Sequence, residues 1–311
     1  IDINVEESEN EKKSDNEETI KILDTNLIEL IESKSKKIGE GATSIVYKVE
    51  NIFTHKGFLA LKVLKDVIFL QGNRSKSKGT KSKSIWDEEE DLSQNEEEED
   101  IKIDFDKVKM LYAENELLNY LNHPNIIKTY GFYNGDRTRN PSILLEYCKF
   151  NLEEIIKELE DFELVGIIYE ICSAMKYVHD NKIIHRDLKM SNILVNLKKH
   201  VKICDFGIAK AIDLTTYTSM THGIGTLRFI APELLIENYK YNEKVDVYSF
   251  GVIMYFIVTK GEMPPLKLSG YESVKLPETI NTLSQEIIKS CWSKEPDNRP
   301  SFDEKLQTII K

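Results

Sequence analysis

The pattern of apolar and polar positions divides the chain into a first part typical of strands and a second part typical of helices. Short apolar stretches with strand-like composition lie at 37–49, 58–64 and 142–148. From Leu152 onward the apolar stretches become longer, and those at 164–180 and 250–258 predict core helices. We therefore expect an α+β fold, in which a small β-rich part precedes a larger, mainly helical part.

Two stretches in the first part have a different pattern. Residues 20–31 are rich in apolar side chains but are interrupted by Asp24, Thr25 and Asn26. We expect a lead-in segment there that packs on the first sheet, in a form that the pattern leaves open. Residues 105–121 predict a helix, because apolar side chains recur at helical spacing: Phe105, Val108, Leu111, Leu117, Leu118 and Leu121.

Three charged stretches account for the formal net charge of -11 of the 311-residue chain. Residues 1–19 carry a charge of -6, residues 74–83 carry +5 and residues 87–100 carry -10. Because these stretches contain few apolar groups, we predict a disordered acidic linker at 1–19 and a low-complexity insertion at 66–104. The rest of the chain is near neutral, so no surface typical of nucleic-acid binding is indicated.

The cysteines and the apolar runs indicate a location in the cell. The longest apolar run, 250–258, is much shorter than the ~20 residues that span a bilayer, so we expect no membrane span. The acidic residues after Ile1 do not form a signal peptide, although the chain could be a piece of a longer protein. Four widely spaced cysteines predict buried free thiols and a cytoplasmic location: Cys148, Cys172, Cys204 and Cys291.

The strongest chemical signal is the string H-R-D-L-K-M-S-N at 185–192, followed by D-F-G at 205–207. Either string alone could be a helix end or a turn that arose by chance. Two predicted short strands, 193–195 and 201–204, connect them, so that a base, a lysine, an amide and a second carboxylate follow at fixed spacing. In this combination the chain resembles the eukaryotic protein kinase family, over about residues 35–311 apart from the insertion.

The resemblance implies a two-lobed fold and a phosphoryl-transfer site. The small lobe would cover 20–145, with an antiparallel sheet and one key helix, and the large lobe would cover 146–311. Asp187 would accept the proton of the substrate hydroxyl, and Lys189 would lie near the transferring phosphate. Asn192 and Asp205 would supply oxygen ligands to Mg²⁺, a hard cation that prefers oxygen.

An ATP site is implied at 37–64 and at the link after 142–146. The pair Gly39 and Gly41 would let the backbone approach a phosphate, although two glycines alone are more often a hairpin turn, and Ser44 stands where the family has a third glycine. Lys62 would hold the inner phosphates. The other implied contacts are Ile38, Val46, Ala60 and Leu194 around the nucleotide, the backbone of Glu146 and Cys148 at the adenine edge, and Leu145 at the back of the pocket. Asn151 could reach the ribose or cap the helix that starts at Leu152.

A carboxylate partner is needed for Lys62, because an unpaired buried ammonium would be costly. Two glutamates of the helix predicted over 105–121 compete for this role. Glu114 lies at the family's usual distance before His123, and we expect it to form the catalytic ion pair. Glu116 is interpreted as a residue of the helix surface.

Residues 208–226 are rich in hydroxyl side chains and are either a mobile polar loop or a regulated activation loop. We favour phosphorylation by an upstream kinase, with Arg186 among the residues that would bind the phosphate. The sequence does not single out one acceptor among the candidates Thr215, Thr216, Tyr217, Thr218, Ser219 and Thr221.

Further motifs indicate structural anchors and the acceptor class. By resemblance, Glu233 of A-P-E would pair with Arg299, and Asp246 would bind the backbone of 185–187. Lys189 and Thr226 match the serine/threonine pattern, whereas D-V-Y-S-F-G and C-W-x-x-x-P-x-x-R-P are similar to tyrosine kinases. This combination resembles the tyrosine-kinase-like group of serine/threonine kinases.

Two other classes of protein share parts of this pattern. A pseudokinase scaffold should have lost one of the catalytic positions, and a small-molecule phosphotransferase would not need A-P-E. Neither departure is present, so the sequence predicts a protein serine/threonine kinase that uses ATP and Mg²⁺ on a protein substrate. It leaves the oligomeric state open.

Overall fold

The computed structural model describes residues 21–33, 35–51, 53–54, 56–65, 105–136, 138–207, 210–211, 227–236, 239–267, 269–271, 273–303 and 307. Three predicted segments lie outside these residues: the linker at 1–19, the insertion at 66–104 and the hydroxyl-rich loop at 208–226, which ends at Thr226. Within that loop, only Lys210 and Ala211 are described.

A five-stranded antiparallel sheet forms the first part of the fold. Its strands are β1 (Lys36–Glu40), β2 (Ser44–Glu50), β3 (Phe58–Leu64), β4 (Thr129–Tyr133) and β5 (Ser142–Glu146), in the spatial order β1-β2-β3-β5-β4. The strand pattern at 37–49 thus becomes two strands around the turn at Gly41, whose N–H donates to Ser44 O. The other two strand predictions correspond to β3 and β5.

The two faces of this sheet pack against different helices. Helix α1 (Thr25–Glu32) begins after Asp24, whose Oδ1 accepts from Leu27 N and caps the helix. A separate core joins Ile28 and Ile31 of α1 to Leu59 and Leu61 of β3. Helix α2 (Phe105–Tyr120) lies over the opposite face, where Ala60 and Leu64 of β3 belong to the main core. Successive residues of β3 therefore point to opposite faces.

The lead-in segment joins the sheet as well as covering it. Ile22 forms a parallel bridge with Phe132 of β4, and Leu23 N donates to Phe132 O at 2.8 Å. Gly131 in β4 has φ +150°, and a Cβ there would lie 2.7 Å from Leu23 Cδ2. A glycine is therefore required where the lead-in segment approaches β4.

The second part of the fold is mainly helical. Its helices are α3 (Leu152–Ile155), α4 (Asp161–Asp180), α5 (Lys244–Val258) and α6 (Thr282–Cys291), with 3-10 turns at Ile156–Glu158, Met190–Asn192, Pro232–Leu235 and Pro296–Asn298. Helix α5 is buried at every residue from Val245 to Ile257, as expected for a helix that is apolar on all sides. The predictions at 164–180 and 250–258 fall within α4 and α5.

Two small sheets lie between the parts. Strands β6 (Phe150–Asn151), β8 (Ile193–Val195) and β9 (Val201–Ile203) form one in the order β6-β8-β9, and β7 (Ile183–Ile184) pairs with β10 (Lys210–Ala211). Ile203 N donates to Asn125 O and Ile127 N donates to Ile203 O, which fixes β9 beside the segment between α2 and β4. These contacts position the chain on both sides of residues 185–192.

Among the described residues, no helix is long and apolar enough to cross a membrane. All four cysteines are free, as expected; Cys172 and Cys291 are buried, whereas Cys148 and Cys204 are only half-buried. Burial nevertheless raises the pKa of both the Cys148 and the Cys204 thiols, so these sulfur atoms are shielded although the residues are partly exposed. Cys148 follows the end of β5 and Cys204 precedes Asp205, at the border between the two parts of the fold.

Candidate active site

Lys62 of β3 lies between two carboxylates. Its Nζ is 2.8 and 2.7 Å from the two oxygens of Glu114 and 3.0 Å from Asp205 Oδ1. Burial lowers the pKa of Lys62, but the charges of Glu114 and Asp205 more than offset this effect and hold its pKa above the ordinary value. The ammonium group is therefore charged at neutral pH.

The choice between the two glutamates of α2 follows from the helix faces. Glu114 is only 3% exposed and its carboxylate binds Lys62. It lies on the buried face of the helix with Leu111 and Leu118. Glu116 is exposed and bonds to Tyr112 of its own helix. The structure thus brings Glu114, and not Glu116, to the position expected for the partner of Lys62.

Asp187 occupies the centre of a second cluster. Lys189 Nζ lies 2.6 Å from Asp187 Oδ2, and Asn192 Nδ2 donates to Asp187 O at 2.8 Å and to Oδ2 at 3.1 Å. The 3-10 turn Met190–Asn192 brings the amide back toward the carboxylate. Each group that the sequence singled out in 185–192 therefore contacts Asp187.

The loop that carries Asp187 is held by a buried carboxylate. Asp246 of α5 is fully buried and accepts from His185 N at 2.9 Å, from Arg186 N at 2.8 Å and from His179 Nε2 at 2.9 Å. Arg186 has φ +68°, a strained conformation for a non-glycine residue. The two backbone bonds to Asp246 compensate for this strain, because they require this path of the chain.

Asp205 is joined to the same loop through His185. His185 Nε2 lies 3.1 Å from Cys204 O, and the imidazole ring packs on Phe206 with centroids 4.7 Å apart. Asp205 itself has φ +63°. The charge of Lys62 lowers the pKa of Asp205, so this carboxylate is ionised at neutral pH.

Asp205 and Asn192 each carry a side-chain oxygen suited to a hard cation. The Asp205 side chain is 44% exposed, and Lys62 binds only one of its oxygens. Asn192 uses its Nδ2 to bind Asp187, which directs the amide oxygen away from that carboxylate. Mg²⁺ typically takes one or two protein oxygens and completes its shell with water and phosphates, so this donor set fits the ion.

The expected nucleotide residues lie on β1, β2, β3, β5 and β8 and on the link after β5. Val46 of β2 pairs with Lys62, and Ala60 pairs with Leu145 of β5. Leu194 of β8 and Cys148 pack against the same core as Ala60. Ile38 is 45% exposed in β1, next to Gly39.

Gly39 in β1 and Gly41 in the turn after it have no structural requirement of their own. Gly39 and Gly41 have ordinary φ values, and a Cβ at either would meet its nearest atom at 3.8 Å, which is ordinary contact. Their neighbours would thus accept a side chain.

Asn151 caps a helix in the structure. Its Oδ1 accepts from Glu154 N at 2.9 Å, and Glu154 Oε2 accepts from Asn151 N at 3.0 Å, which forms a capping box for α3. The cap is therefore the alternative that the geometry favours over a ribose contact.

The expected anchor of the helical part is present. Both oxygens of Glu233 accept from Arg299, at 2.5 and 2.9 Å, and Arg299 is 1% exposed. Arg299 also donates to Ser293 O and Lys244 O. This bidentate pair connects the 3-10 turn after Ala231 to the segment that follows α6.

Sequence reasoning missed two contacts around the link after β5. Lys202 Nζ lies 2.8 Å from Glu146 Oε2, and Lys48 Nζ lies over the rings of Phe58 and Tyr147 at 3.5 and 5.1 Å from their centroids. The lysine within the apolar string V-K-I-C at 201–204 was the one signal that a paired cation stands there.

The comparisons with known proteins agree with this geometry. The family described as "Protein kinase domain" matches residues 90–309. A probable serine/threonine-protein kinase of Dictyostelium discoideum is 34% identical over 64% of this chain and 16% of its own length. The serine/threonine-protein kinase CTR1 of Arabidopsis thaliana is 33% identical over 63% of this chain and 26% of its own length.

The mitogen-activated protein kinase kinase kinase 13 of Pongo abelii is 37% identical over 62% of this chain and 21% of its own length. The chain thus matches only about a sixth to a quarter of the length of these three relatives. The family match starts at residue 90 and therefore does not include β1–β3. The glycine turn and Lys62 lie in this unmatched part, and their place in the site is known from the structure. The chain belongs to the protein kinase domain family.

Proposed function

We propose that this chain transfers the γ-phosphate of ATP to serine and threonine hydroxyls of protein substrates. The observation that carries the proposal is the pair of clusters described above. Lys62 is held between Glu114 and Asp205, and Asp187 is held by Lys189 and Asn192. One cluster supplies a fixed cation for phosphates, and the other supplies a carboxylate for a hydroxyl.

The residues divide the chemistry between them. Phosphoryl transfer requires positioning and charge stabilisation more than covalent catalysis. Lys62, fixed by two carboxylates, binds the inner phosphate oxygens, and the backbone at Gly39 and Gly41 covers the phosphates. The adenine packs between Val46, Ala60 and Leu194, with Ile38 at the edge, and its polar edge meets the backbone of Glu146 and Cys148.

Asp187 orients the substrate hydroxyl and accepts its proton as the oxygen bonds to the γ-phosphorus and the bond to the ADP oxygen breaks. Lys189, 2.6 Å from Asp187, is placed to contact the transferring phosphate at the same time. Asp205 and Asn192 hold Mg²⁺, which neutralises phosphate charge when it is bound. Lys189 also supports a serine/threonine acceptor, because tyrosine kinases usually lack that lysine.

Regulation by an upstream kinase is part of the proposal. Arg186 Nε is buried without a hydrogen-bond partner among the described residues, and the guanidinium lies 5.3 Å from the ring centroid of Tyr241. A phosphate on the loop at 208–226 would satisfy such a group. The four free cysteines support a location in the cytoplasm.

Transfer of labelled phosphate from magnesium-ATP to a generic basic protein tests the proposal, with acid hydrolysis to identify the labelled amino acid. We expect phosphoserine and phosphothreonine. Phosphotyrosine as the main product would contradict the acceptor class. Absence of transfer, after treatment with active serine/threonine kinases of the tyrosine-kinase-like group, would contradict the proposed activity itself.

A further inference from the structure

The link after β5 is held from both parts of the fold. On one side Lys48 of β2 and Phe58 of β3 contact Tyr147, and the rings of Phe58 and Tyr147 meet edge to face with centroids 6.0 Å apart. On the other side Lys202 of β9 pairs with Glu146. Glu146, the last residue of β5, is thus tied to the small sheet, and Tyr147, which follows it, is tied to the five-stranded sheet.

The ion pair between Glu146 and Lys202 is partly desolvated. Lys202 Nζ lies 2.8 Å from Glu146 Oε2, and the two side chains are 14% and 24% exposed. Glu146 Oε2 is buried and has no well-aligned hydrogen bond among the described residues. The charge of Lys202 is therefore what offsets the desolvation of this carboxylate oxygen.

Lys202 also connects the pair to the base of the nucleotide site. It lies directly opposite Leu194 in the register of β8 and β9, so the two side chains are on the same face of the small sheet. Cys204, two residues further along, precedes Asp205. Leu194 is a proposed adenine contact, and Lys202 lies opposite it on the neighbouring strand. Asp205 is a proposed metal ligand, and it follows Lys202 by three residues along the chain.

The charge of Glu146 affects the neighbouring part of the link. Burial raises the pKa of the Cys148 thiol to about 12, and Glu146 adds to this effect while Lys202 opposes it. Cys148 and Glu146 carry the backbone groups proposed to bind adenine. The ion pair therefore lies close enough to Cys148 to act on it electrostatically.

We propose that Glu146 and Lys202 act as a positioning pair that sets the distance between the adenine-binding backbone after β5 and Leu194 beneath it. Neither side chain touches the reacting atoms. The pair holds the two sides of the adenine slot in register, so that nucleotide binding does not have to order them. This inference rests on the proposed ATP site.

Charge reversal and charge exchange test the inference. We expect Glu146→Lys and Lys202→Glu each to raise the Kd for magnesium-ADP about tenfold, the loss of roughly one charge-assisted contact. The double variant Glu146→Lys with Lys202→Glu restores the pair with its charges exchanged and should recover most of the affinity. In phosphate transfer, Lys202→Met should raise the KM for ATP by a larger factor than it lowers kcat.

Lys176→Met is the matched control, because Lys176 pairs with Asp180 at 2.6 Å on the surface of α4, away from the link. It should bind magnesium-ADP like the wild type. Single variants that bind like the wild type, or a double variant as weak as the singles, would overturn the positioning role and leave the ATP site intact. A wild-type chain that does not bind magnesium-ADP at all would overturn the proposed function, and this inference with it.

Discussion

At the scale of single residues, the site depends on charges that are buried only because they are paired. Glu114 is 3% exposed, and Lys62 is its partner through both oxygens. Removal of the lysine would leave Glu114 buried beside Asp205, which carries the same charge. A loss of phosphate transfer in a Lys62 variant would therefore combine a chemical and a structural cause.

A double variant separates these causes. We expect Lys62→Met to lower the free energy of unfolding by about 3 kcal/mol, since breaking one side of a buried pair leaves an uncompensated charge. Adding Glu114→Gln removes that charge and should recover much of the stability without restoring phosphate transfer. Urea unfolding and a transfer assay on the same preparations measure both effects. Recovery of transfer together with stability would contradict a catalytic role of Lys62.

One part of the pH dependence of the protein's stability can be assigned to a single residue, Asp136. Burial opposes its ionisation, but hydrogen bonds from Thr138 and Tyr133 lower the pKa of Asp136 to about 2. A lowered pKa in the folded state stabilises the fold above the unfolded-state pKa near 4, and this stabilisation is lost as the pH falls toward 2.

We expect Asp136→Asn to lower the free energy of unfolding by about 1 kcal/mol above pH 5, an amount that allows for solvent screening at this half-buried site. The difference from the wild type should shrink as the pH is lowered. Urea unfolding at several pH values measures it. A difference that stays constant or grows in acid would show that the charge of Asp136 does not stabilise the turn between β4 and β5.

Local sequence patterns predicted single residues well, but they did not predict contacts between residues that are far apart in the sequence. The distance from His123 selected Glu114 over Glu116, because this criterion is local. The contact between Glu146 and Lys202 joins residues 56 positions apart in two different sheets, and no local pattern encodes such a distance.

At the scale of elements, the lead-in segment adds an isolated β-bridge and a helix to the five-stranded sheet. Phe132 N donates to Lys21 O at 3.0 Å, and Leu23 N donates back to Phe132 O. Ile28 is fully buried against the sheet. β4 would otherwise be an edge strand, and the lead-in segment satisfies part of its unpaired backbone.

Gly131 controls this pairing. We expect Gly131→Ala to lower the free energy of unfolding by about 2 kcal/mol, because its Cβ would lie 2.7 Å from Leu23 and 2.8 Å from Lys21 O at a φ that alanine rarely adopts. Amide hydrogen exchange at Leu23 and Phe132 should accelerate. Unchanged exchange at these two amides would contradict the pairing.

The control for this substitution is Gly166→Ala in α4, where a Cβ would meet no atom within 4 Å. Because glycine is unfavourable inside a helix, this variant should be more stable by about 0.5–1 kcal/mol. Opposite signs at the two glycines would show that the effect at Gly131 is steric.

The elements were predictable where their apolar pattern is complete. Helix α2 and strand β3 follow the predicted ranges closely. The buried residues of α2 recur at helical spacing, and β3 is a short, almost wholly apolar run that packs on both faces. The form of the lead-in segment was left open, since Asp24 reads both as an interruption and as a helix cap. Only the bonds to β4 decide that a β-bridge precedes the helix.

At the scale of the whole molecule, two buried polar anchors hold the helical part around the site. Asp246 fixes the backbone at His185 and Arg186, and Arg299 fixes Glu233. Both anchors were expected from the family resemblance. The domain limits at 19, 66–104 and 145 stay predictions, because the first two fall outside the described residues and the third is a link rather than a gap in the fold.

Arg299 should be far more important for stability than an arginine at the surface. We expect Arg299→Lys to lower the free energy of unfolding by about 3 kcal/mol, because lysine cannot form the bidentate pair and leaves part of Glu233 unsatisfied. Arg139→Lys, at the exposed pairs with Glu29 and Glu32, should cost less than about 1 kcal/mol. Urea unfolding of both variants is the measurement, and equal losses would contradict the anchor role.

The central claim is that Asp187 makes this fold a catalyst of phosphate transfer. Asp187→Asn tests it most directly, because asparagine keeps an oxygen for Lys189 and Asn192 and leaves Lys62 and Glu114 paired. Transfer of labelled phosphate should fall by about a hundredfold or more, the usual contribution of a positioned general base, while the affinity for magnesium-ADP and the Tm stay close to those of the wild type. Transfer at the wild-type rate by a folded, nucleotide-binding Asp187→Asn chain would contradict the account.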